Sequence, residues 1–332
     1  MTRPIITLED VQQASVRIKG VAHKTPVLTC ETINQLGSIE TDEPRSFYFK
    51  AENFQKIGAF KFRGGYNSVA QVPVQDRHKG VVTQSSGNHA QAIALAAKML
   101  DIAATIVMPH TAPKAKVDAV RGYGASIVLC EPNIKSRNEA AAKIVAETGA
   151  TFIHPFENPH VMAGQGTLML ELLEQTHDTP LDAVIMPVGG GGMLSGCSIT
   201  AKGIKPNIRV FAAEPLNLDD CKRSLDSKTR CGFDHPVTSI ADGLMTPIGQ
   251  PNWDIIKENV EDVFTVTEEE IIQAMKIVWE RMKVVIEPSA AVSVAAVLFN
   301  KEFRKLKGIK NVGVVFSGGN LDLDKPLPWV KQ

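Results

Sequence analysis

The stretch Ala183-Val184-Ile185-Met186-Pro187-Val188-Gly189-Gly190-Gly191-Gly192-Met193-Leu194-Ser195-Gly196 joins a continuous apolar run to a small-residue run through four glycines. A short, uninterrupted apolar run is how a strand covered on both faces reads. A flexible linker would not stand between a buried strand and a helix, so the glycines mark a strand-to-helix loop. The same alternation recurs along the chain. Candidate strands lie at 47–50, 80–83, 104–108, 126–130, 151–154, 183–188, 209–213, 262–266 and 311–316. Ile127-Val128-Leu129 and Val312-Gly313-Val314-Val315-Phe316 share the buried-strand pattern. Thr7-Leu8-Glu9-Asp10 and Thr267-Glu268-Glu269-Glu270 carry the capping-box pattern that opens helices, and 88–99 and 138–147 are Ala-rich helical stretches. Strand–helix alternation of this kind predicts an α/β fold with a mostly parallel sheet, or two such sheets. The stretch 214–253 is less regular and is expected to be loop-rich surface.

The chain has 332 residues, which at roughly 150 residues per domain suggests about two domains. Hydrophobic residues make up 44% and charged residues 22%, which excludes a collagenous or wholly disordered chain. Thirty-six basic residues cancel thirty-six acidic ones, which argues against a nucleic-acid partner, because such affinity rests on excess Lys and Arg. No apolar run reaches the roughly 18 residues of a membrane span. The first ten residues lack the apolar core of a secretory signal. Five widely spaced cysteines (Cys30, Cys130, Cys197, Cys221, Cys231) contain no Cys-x-x-Cys pair. Neither a disulfide framework nor a structural zinc site is expected, and a cytoplasmic setting fits best.

Four segments carry candidate chemistry. In Glu52-Asn53-Phe54-Gln55-Lys56-Ile57-Gly58-Ala59-Phe60-Lys61-Phe62-Arg63-Gly64-Gly65, Lys61 is flanked by two phenylalanines with glycines on both sides. Most lysines are solvated surface charges. One held among aromatics is desolvated, which lowers its pKa and frees a nucleophilic amine. Val82-Thr83-Gln84-Ser85-Ser86-Gly87-Asn88-His89-Ala90-Gln91 joins a strand to a helix. Taken alone it is equally a helix cap; functionally it is an anion site with a hydroxyl able to carry protons. The glycines at 189–192 suit a phosphate cradle. They lack both the Walker Lys-Ser/Thr ending and the dinucleotide fingerprint. Val315-Phe316-Ser317-Gly318-Gly319-Asn320 ends the last strong strand, and places a hydroxyl where a ring nitrogen would be met. Strand C-termini are where open α/β sheets bind ligands. One ligand with an aldehyde for Lys61, a phosphate for the glycine loop and a ring nitrogen for Ser317 accounts for the set: pyridoxal 5′-phosphate (PLP).

With these residues in view, the chain resembles the fold-type II PLP-dependent enzymes, related in fold to the tryptophan synthase β chain, and within them the serine/threonine dehydratase and serine racemase group. The resemblance covers about residues 5–325. It rests on Gly-Ala-Phe-Lys-Phe-Arg-Gly, Ser-Ser-Gly-Asn-His, Ala163-Gly164-Gln165-Gly166-Thr167, Gly-Gly-Gly-Gly-Met and Ser-Gly-Gly-Asn. Ala212-Ala213-Glu214-Pro215, Phe264 to Glu268, and Val278 to Lys283 running on to Ile286-Glu287-Pro288 are similar to eukaryotic serine racemases. The resemblance implies two open twisted-sheet domains with helices on both faces. A large PLP-binding domain would comprise 1–79 and 154–332, and a small mobile domain 80–153. It implies Lys61 as the Schiff-base lysine and Ser86 as the acid/base on the opposite face. Phe60 would pack beside the ring, Asn88 would bond its phenolic oxygen, and Ser317 would meet its nitrogen. Gly189, Gly190, Gly191, Gly192 and Met193 would hold the phosphate through backbone N–H groups. Ser85, Ser86, Asn88, His89 and Arg137 would surround the substrate, with Thr246 nearby. Glu214, Asp220 and the Leu218 carbonyl would bind a divalent cation, Mg²⁺ or Ca²⁺ rather than zinc, because the donors are hard oxygens. Lys56, Gln91, Lys116, Tyr123, Asn320 and Asp322 match a site for ATP as an activator.

The implied activity is interconversion of L- and D-serine. It is accompanied by loss of water and ammonia from serine or threonine, which gives pyruvate or 2-oxobutanoate, in a cytoplasmic homodimer. A dedicated serine/threonine or threo-3-hydroxyaspartate dehydratase is the alternative. A non-catalytic amino-acid sensor is the rival of a different class, and it is disfavoured because every catalytic position is filled. Two departures bear on the choice. Phe156 stands where mammalian-type serine racemases have Asn, which favours elimination. Ile57 stands where they have a Thr that helps hold ATP.

Overall fold

The computed structural model describes residues 5–112, 114–234 and 236–330. Ten strands follow in chain order: β1 Val27–Leu28, β2 Ser46–Ala51, β3 Val81–Gln84, β4 Ala104–Pro109, β5 Ser126–Cys130, β6 Thr151–Phe152, β7 Ala183–Pro187, β8 Arg209–Pro215, β9 Asp262–Val266 and β10 Asn311–Phe316. The helices are α1 Leu8–Ile18, α2 Glu31–Gly37, α3 Lys61–Ala70, α4 Asn88–Met99, α5 Lys114–Gly122, α6 Ile134–Thr148, α7 Pro159–Gln175, α8 Gly192–Ile204, α9 Asp220–Ser227, α10 Gln250–Asn259, α11 Glu268–Met282, α12 Pro288–Phe299 and α13 Lys301–Arg304.

The strands form two sheets. One has the order β1-β2-β10-β7-β8-β9 and the other β5-β4-β3-β6. All neighbours are parallel except β1, which runs antiparallel to β2 at the edge. Parallel neighbours require helical crossovers, and those helices cover both faces. The alternation of side chains is visible on β7. Ile185 enters a core with Phe49, Phe211 and Phe316 beneath α11 and α12. Its neighbours Val184 and Met186 point to the other face, with Val210 and Val315 beneath α7, α8 and α10. In the smaller sheet, Val81, Ile106 and Met108 pack with α4 residues on one face. Val82 and Val107 pack with Ala141 and Ile144 of α6 on the other.

Both capping boxes form. The Thr7 hydroxyl accepts from the Asp10 N–H, and that of Thr267 from the Glu270 N–H. Several expectations need correction. β1 was not anticipated, since two residues are too few to show a period. Ile127-Val128-Leu129 does not lie in a doubly covered strand: β5 is the sheet's edge, with Val128 37% and Leu129 57% exposed. The expected 151–154 strand stops at Phe152. The 214–253 stretch is not all loop, because it contains α9 and the start of α10, held by buried Asp220, Cys221, Ser224 and Trp253.

In each sheet the chain reverses direction of travel next to one strand, β3 in the small sheet and β7 in the large one. The loops that leave their C-terminal ends are Ser85–Gly87 and Val188–Gly191. Such switch points leave a crevice for ligands.

Candidate active site

Lys61 is the first residue of α3. Its side chain is half-buried. Burial lowers its pKa to about 8. The amine donates to the Pro155 carbonyl at 3.1 Å and lies 5.3 Å from the Phe60 ring centroid. The Phe60 N–H donates to the Ser317 carbonyl at 3.0 Å, and Ala59 bridges to Gly318. The end of β10 is thereby tied to the residue before Lys61. Ser317 is almost wholly buried.

The 85–89 loop faces the same space, since the Lys61 charge helps, after burial, to depress the His89 pKa well below its usual value. His89 is buried, with Nε2 3.5 Å from the Ile153 carbonyl and, among the described residues, no partner for Nδ1. The Ser85 hydroxyl accepts from the Gly87 N–H at 3.2 Å. No hydrogen bond engages the Ser86 hydroxyl among the described residues. Asn88 starts α4; its amide donates to Glu287 at 3.0 Å and its oxygen accepts from Asn320 at 2.8 Å. Arg137 stands in the first turn of α6, with a buried Nε that lacks a partner. Its neighbour Asn138 accepts from Gln84 at 2.6 Å. No hydrogen bond ties Arg137 to the Ser85–His89 loop among the described residues.

The glycine loop is glycine for steric reasons. A Cβ at Gly189 would lie 2.9 Å from Leu244 Cα, and one at Gly190 would lie 2.4 Å from the Phe156 ring. Gly191 has a φ of +90°, which other residues rarely adopt. Gly192 opens α8 with no side-chain cap, which leaves its first-turn N–H groups free to meet an anion. Met193 is buried. Thr246 is placed near the loop by Leu244, whose carbonyl accepts the Thr246 N–H at 2.8 Å. A desolvated amine, an uncapped helix start behind a glycine loop, and a buried serine at a third strand end together fit a phosphorylated pyridine aldehyde.

Glu214 and Asp220 come together at the start of α9, both buried. Burial and the neighbouring Asp220 push the Glu214 carboxyl well above its usual range; burial pushes Asp220 up to about 7. Glu214 accepts from the N–H groups of Cys221 and Lys222, and Asp220 from that of Ile248. Leu218 is buried in the turn between them. No cluster of three or more His, Cys, Asp or Glu poised for a metal occurs among the described residues. The two buried carboxyls repel one another, and a hard cation placed between them would relieve that repulsion.

The candidate nucleotide residues are more scattered. Lys56 lies 5.9 Å from the Phe62 ring. Tyr123 packs beside Ile57, Phe62 and Ala92, next to the buried Gln91. Lys116 is paired with Asp242, and Asp322 lies 3.8 Å from Lys325. Asn320 also joins the network of Asn88 and Glu287. Its amide also donates to the Ile57 carbonyl at 2.7 Å, which supports a branched residue at a φ of +61°.

Glu287 was not anticipated as a site residue. It is buried at the start of α12, accepts from Asn88 and from the Asn320 N–H, and donates its own N–H to Gly318. Burial, with Asp242 nearby, raises its carboxyl to about 7. The only local signal was an acid directly before a proline that opens a helix.

A family model described as "Pyridoxal-phosphate dependent enzyme" matches residues 18–318. The chain belongs to that family of PLP-dependent enzymes. It is 48% identical to a serine racemase of Dictyostelium discoideum over 319 residues, which cover 96% of each chain. The crystal structure of serine racemase from that organism superposes with a TM-score of 0.90, covering 96% of this chain and all of the other, at 48% identity. A beta-hydroxyaspartate dehydratase of Paracoccus denitrificans is 45% identical, over 98% of this chain and 99% of the relative.

Proposed function

We propose that this chain is a PLP-dependent racemase of serine that also eliminates water and ammonia from serine and threonine. The observation that carries the reading is the meeting of four strand-end motifs in one crevice: Lys61, the Ser85–His89 loop, the glycine loop and Ser317. When bound, PLP supplies an electron sink that acidifies the substrate Cα–H.

The residues of the chain then divide the work. Lys61 would hold the cofactor and, half neutral near pH 8, take or return a proton on one face. The Ser86 hydroxyl does so on the other, since inversion needs a base on each side. Gly189 to Met193 would hold the phosphate, Phe60 would lie beside the ring, and Ser317 would offer the ring nitrogen a neutral partner. Ser85, Asn88, His89, Arg137 and Thr246 bind the amino acid. Glu214, Asp220 and the Leu218 carbonyl hold Mg²⁺ or Ca²⁺ and tie α9 to β8. Lys56, Gln91, Lys116, Tyr123, Asn320 and Asp322 form the candidate site for ATP. The reading includes a homodimer and a cytoplasmic setting, the latter supported by five unpaired cysteines.

A specific observation keeps the dehydratase alternative in play. Phe156 presses its ring on the glycine loop and on His154, at a centroid distance of 4.6 Å, and offers the substrate no polar partner. The deciding experiment is incubation with L-serine, L-threonine and threo-3-hydroxyaspartate, measuring D-serine and keto acids separately. D-serine formation is expected. Keto acid from all three with no D-serine would replace the racemase reading with the dehydratase one.

A further inference from the structure

Helix α3, which opens with Lys61, has no cap of its own. Phe60 at its N-cap has a helical backbone and no side-chain acceptor. The first helical turn nevertheless needs partners for its N–H groups. Those of Phe62 and Arg63 turn back to the carbonyls of Ala59 and Phe60 at 3.4 and 3.0 Å. The Gly64 N–H is met from far along the chain, by Gln165 Oε1 at 2.9 Å. Gln165 is 1% exposed and lies mid-way along α7, and among the described residues its Nε2 has no partner. Among the described residues, the side chain's one hydrogen bond is therefore this acceptor.

The flanking residues hold Gln165 in place. A Cβ on Gly164 would lie 2.6 Å from Gly64 Cα, so the two helices meet backbone to backbone. Thr167 and Glu171 receive the Arg63 guanidinium at 3.3 and 2.8 Å. On the opposite side of α7, a Cβ on Gly166 would lie 2.7 Å from the Gly196 carbonyl of α8. The Ala163-Gly164-Gln165-Gly166-Thr167 segment thus grips at once the helix that starts with Lys61 and the helix that starts at the glycine loop.

We propose that Gln165 is a positioning residue, capping α3 through the Gly64 N–H so that the Lys61 amine is held at a fixed distance from the phosphate loop. The proposal rests on Lys61 being the cofactor lysine. The test compares Gln165→Met, which fills the space without an acceptor, with Gln165→Glu, which burial holds as the neutral acid, so that it keeps a carbonyl acceptor and replaces the unused N–H donor with an O–H. The readouts are the dissociation constant for PLP and the pH midpoint of the visible band of lysine-bound cofactor.

Gln165→Met should weaken PLP retention about tenfold and move the midpoint, as expected for one lost hydrogen bond to a buried donor. Gln165→Glu should stay near the parent protein on both readouts. Parental values for Gln165→Met, equal losses in both variants, or failure of both to fold would overturn the cap and leave plain packing. If only Gln165→Met fails to fold, Gln165→Glu decides: parental retention supports the cap, and lost retention in a folded protein overturns it. Lys61→Ala separates the two readings. A visible band surviving in that variant would remove the Lys61 assignment and the cap with it. A band lost in Lys61→Ala, together with parental Gln165→Met, would remove the cap alone.

Discussion

Burial lowers the Lys61 pKa, which favours the neutral amine that a cofactor lysine needs. With its pKa lowered to about 8, the amine is half neutral more than two units below the ~10.4 of a free lysine. The rate of PLP capture by apoprotein should therefore rise with pH to half its plateau near 8, followed by absorbance in a rapid-mixing experiment. A half-point above 10 would mean a solvated amine. Ser86 gives a complementary test. Ser86→Ala should lose racemisation in both directions and elimination from D-serine, and keep elimination from L-serine, which needs only Lys61. If the hydroxyl acted only locally at the helix start, its loss would cost about 1 kcal/mol of stability. It would then damage both L-serine activities in proportion, and that outcome would reject the two-base scheme. The candidates Lys61 and Ser86 could be proposed from the sequence because their neighbours in the chain carry the pattern. Gln165 and Glu287 could not, because their roles come from partners 101 and 199 positions away.

Among the elements, α12 carries a pH-sensitive start. Glu287 has its carboxyl raised from 4.5 to about 7 by burial and by Asp242, against the opposing effects of Asn88, the Asn320 N–H and Lys116. The folded state thus holds a proton between those two values that the unfolded chain has released. Stability from this group is fully present below pH 4.5 and is lost as pH rises toward 7. At 1.36 kcal/mol per unit, the loss is on the order of 3 kcal/mol. Glu287→Gln stays neutral throughout, so its stability relative to the parent should improve as pH rises from 4.5 to 8 in denaturant titrations. A constant difference across that range would show a carboxylate already stabilised by its donors. The same scale shows why strands were easier to foresee than their surroundings. An uninterrupted apolar run marks a strand in a helix-covered sheet, which places β7 and β10 correctly. It does not distinguish a centre from an edge, and β5 has the apolar composition of the first with the exposure of the second.

For the whole molecule, the two sheets draw on different parts of the chain. The small one uses residues 81–152, and the large one 27–51 with 183–316. Ser86 belongs to the first and Lys61 stands beside the second, so any movement of one sheet against the other changes the distance between the two proposed bases. We expect the small sheet to close on substrate, because Ser86 must reach Cα and water must leave. One visible bridge between the two parts is the Lys116–Asp242 pair, with side chains 26% and 59% exposed. An exposed ion pair contributes about 0–1 kcal/mol, too little to lock either state. On the proposed reading, binding of the substrate carboxylate by the Ser85–His89 loop would supply the drive instead. Asp242→Asn should then change KM for L-serine by less than about fivefold, the limit set by such a pair. In holoenzyme crystals grown with and without a non-reactive dicarboxylate, the Ser86 Oγ to Lys61 Nζ distance should shorten by about 1 Å or more, as in other hinge and shear closures. An unchanged distance would mean that the crevice is preformed and that Ser86 acts from where it already stands. A large KM effect of Asp242→Asn would instead make the Lys116 pair, rather than the substrate, the source of closure.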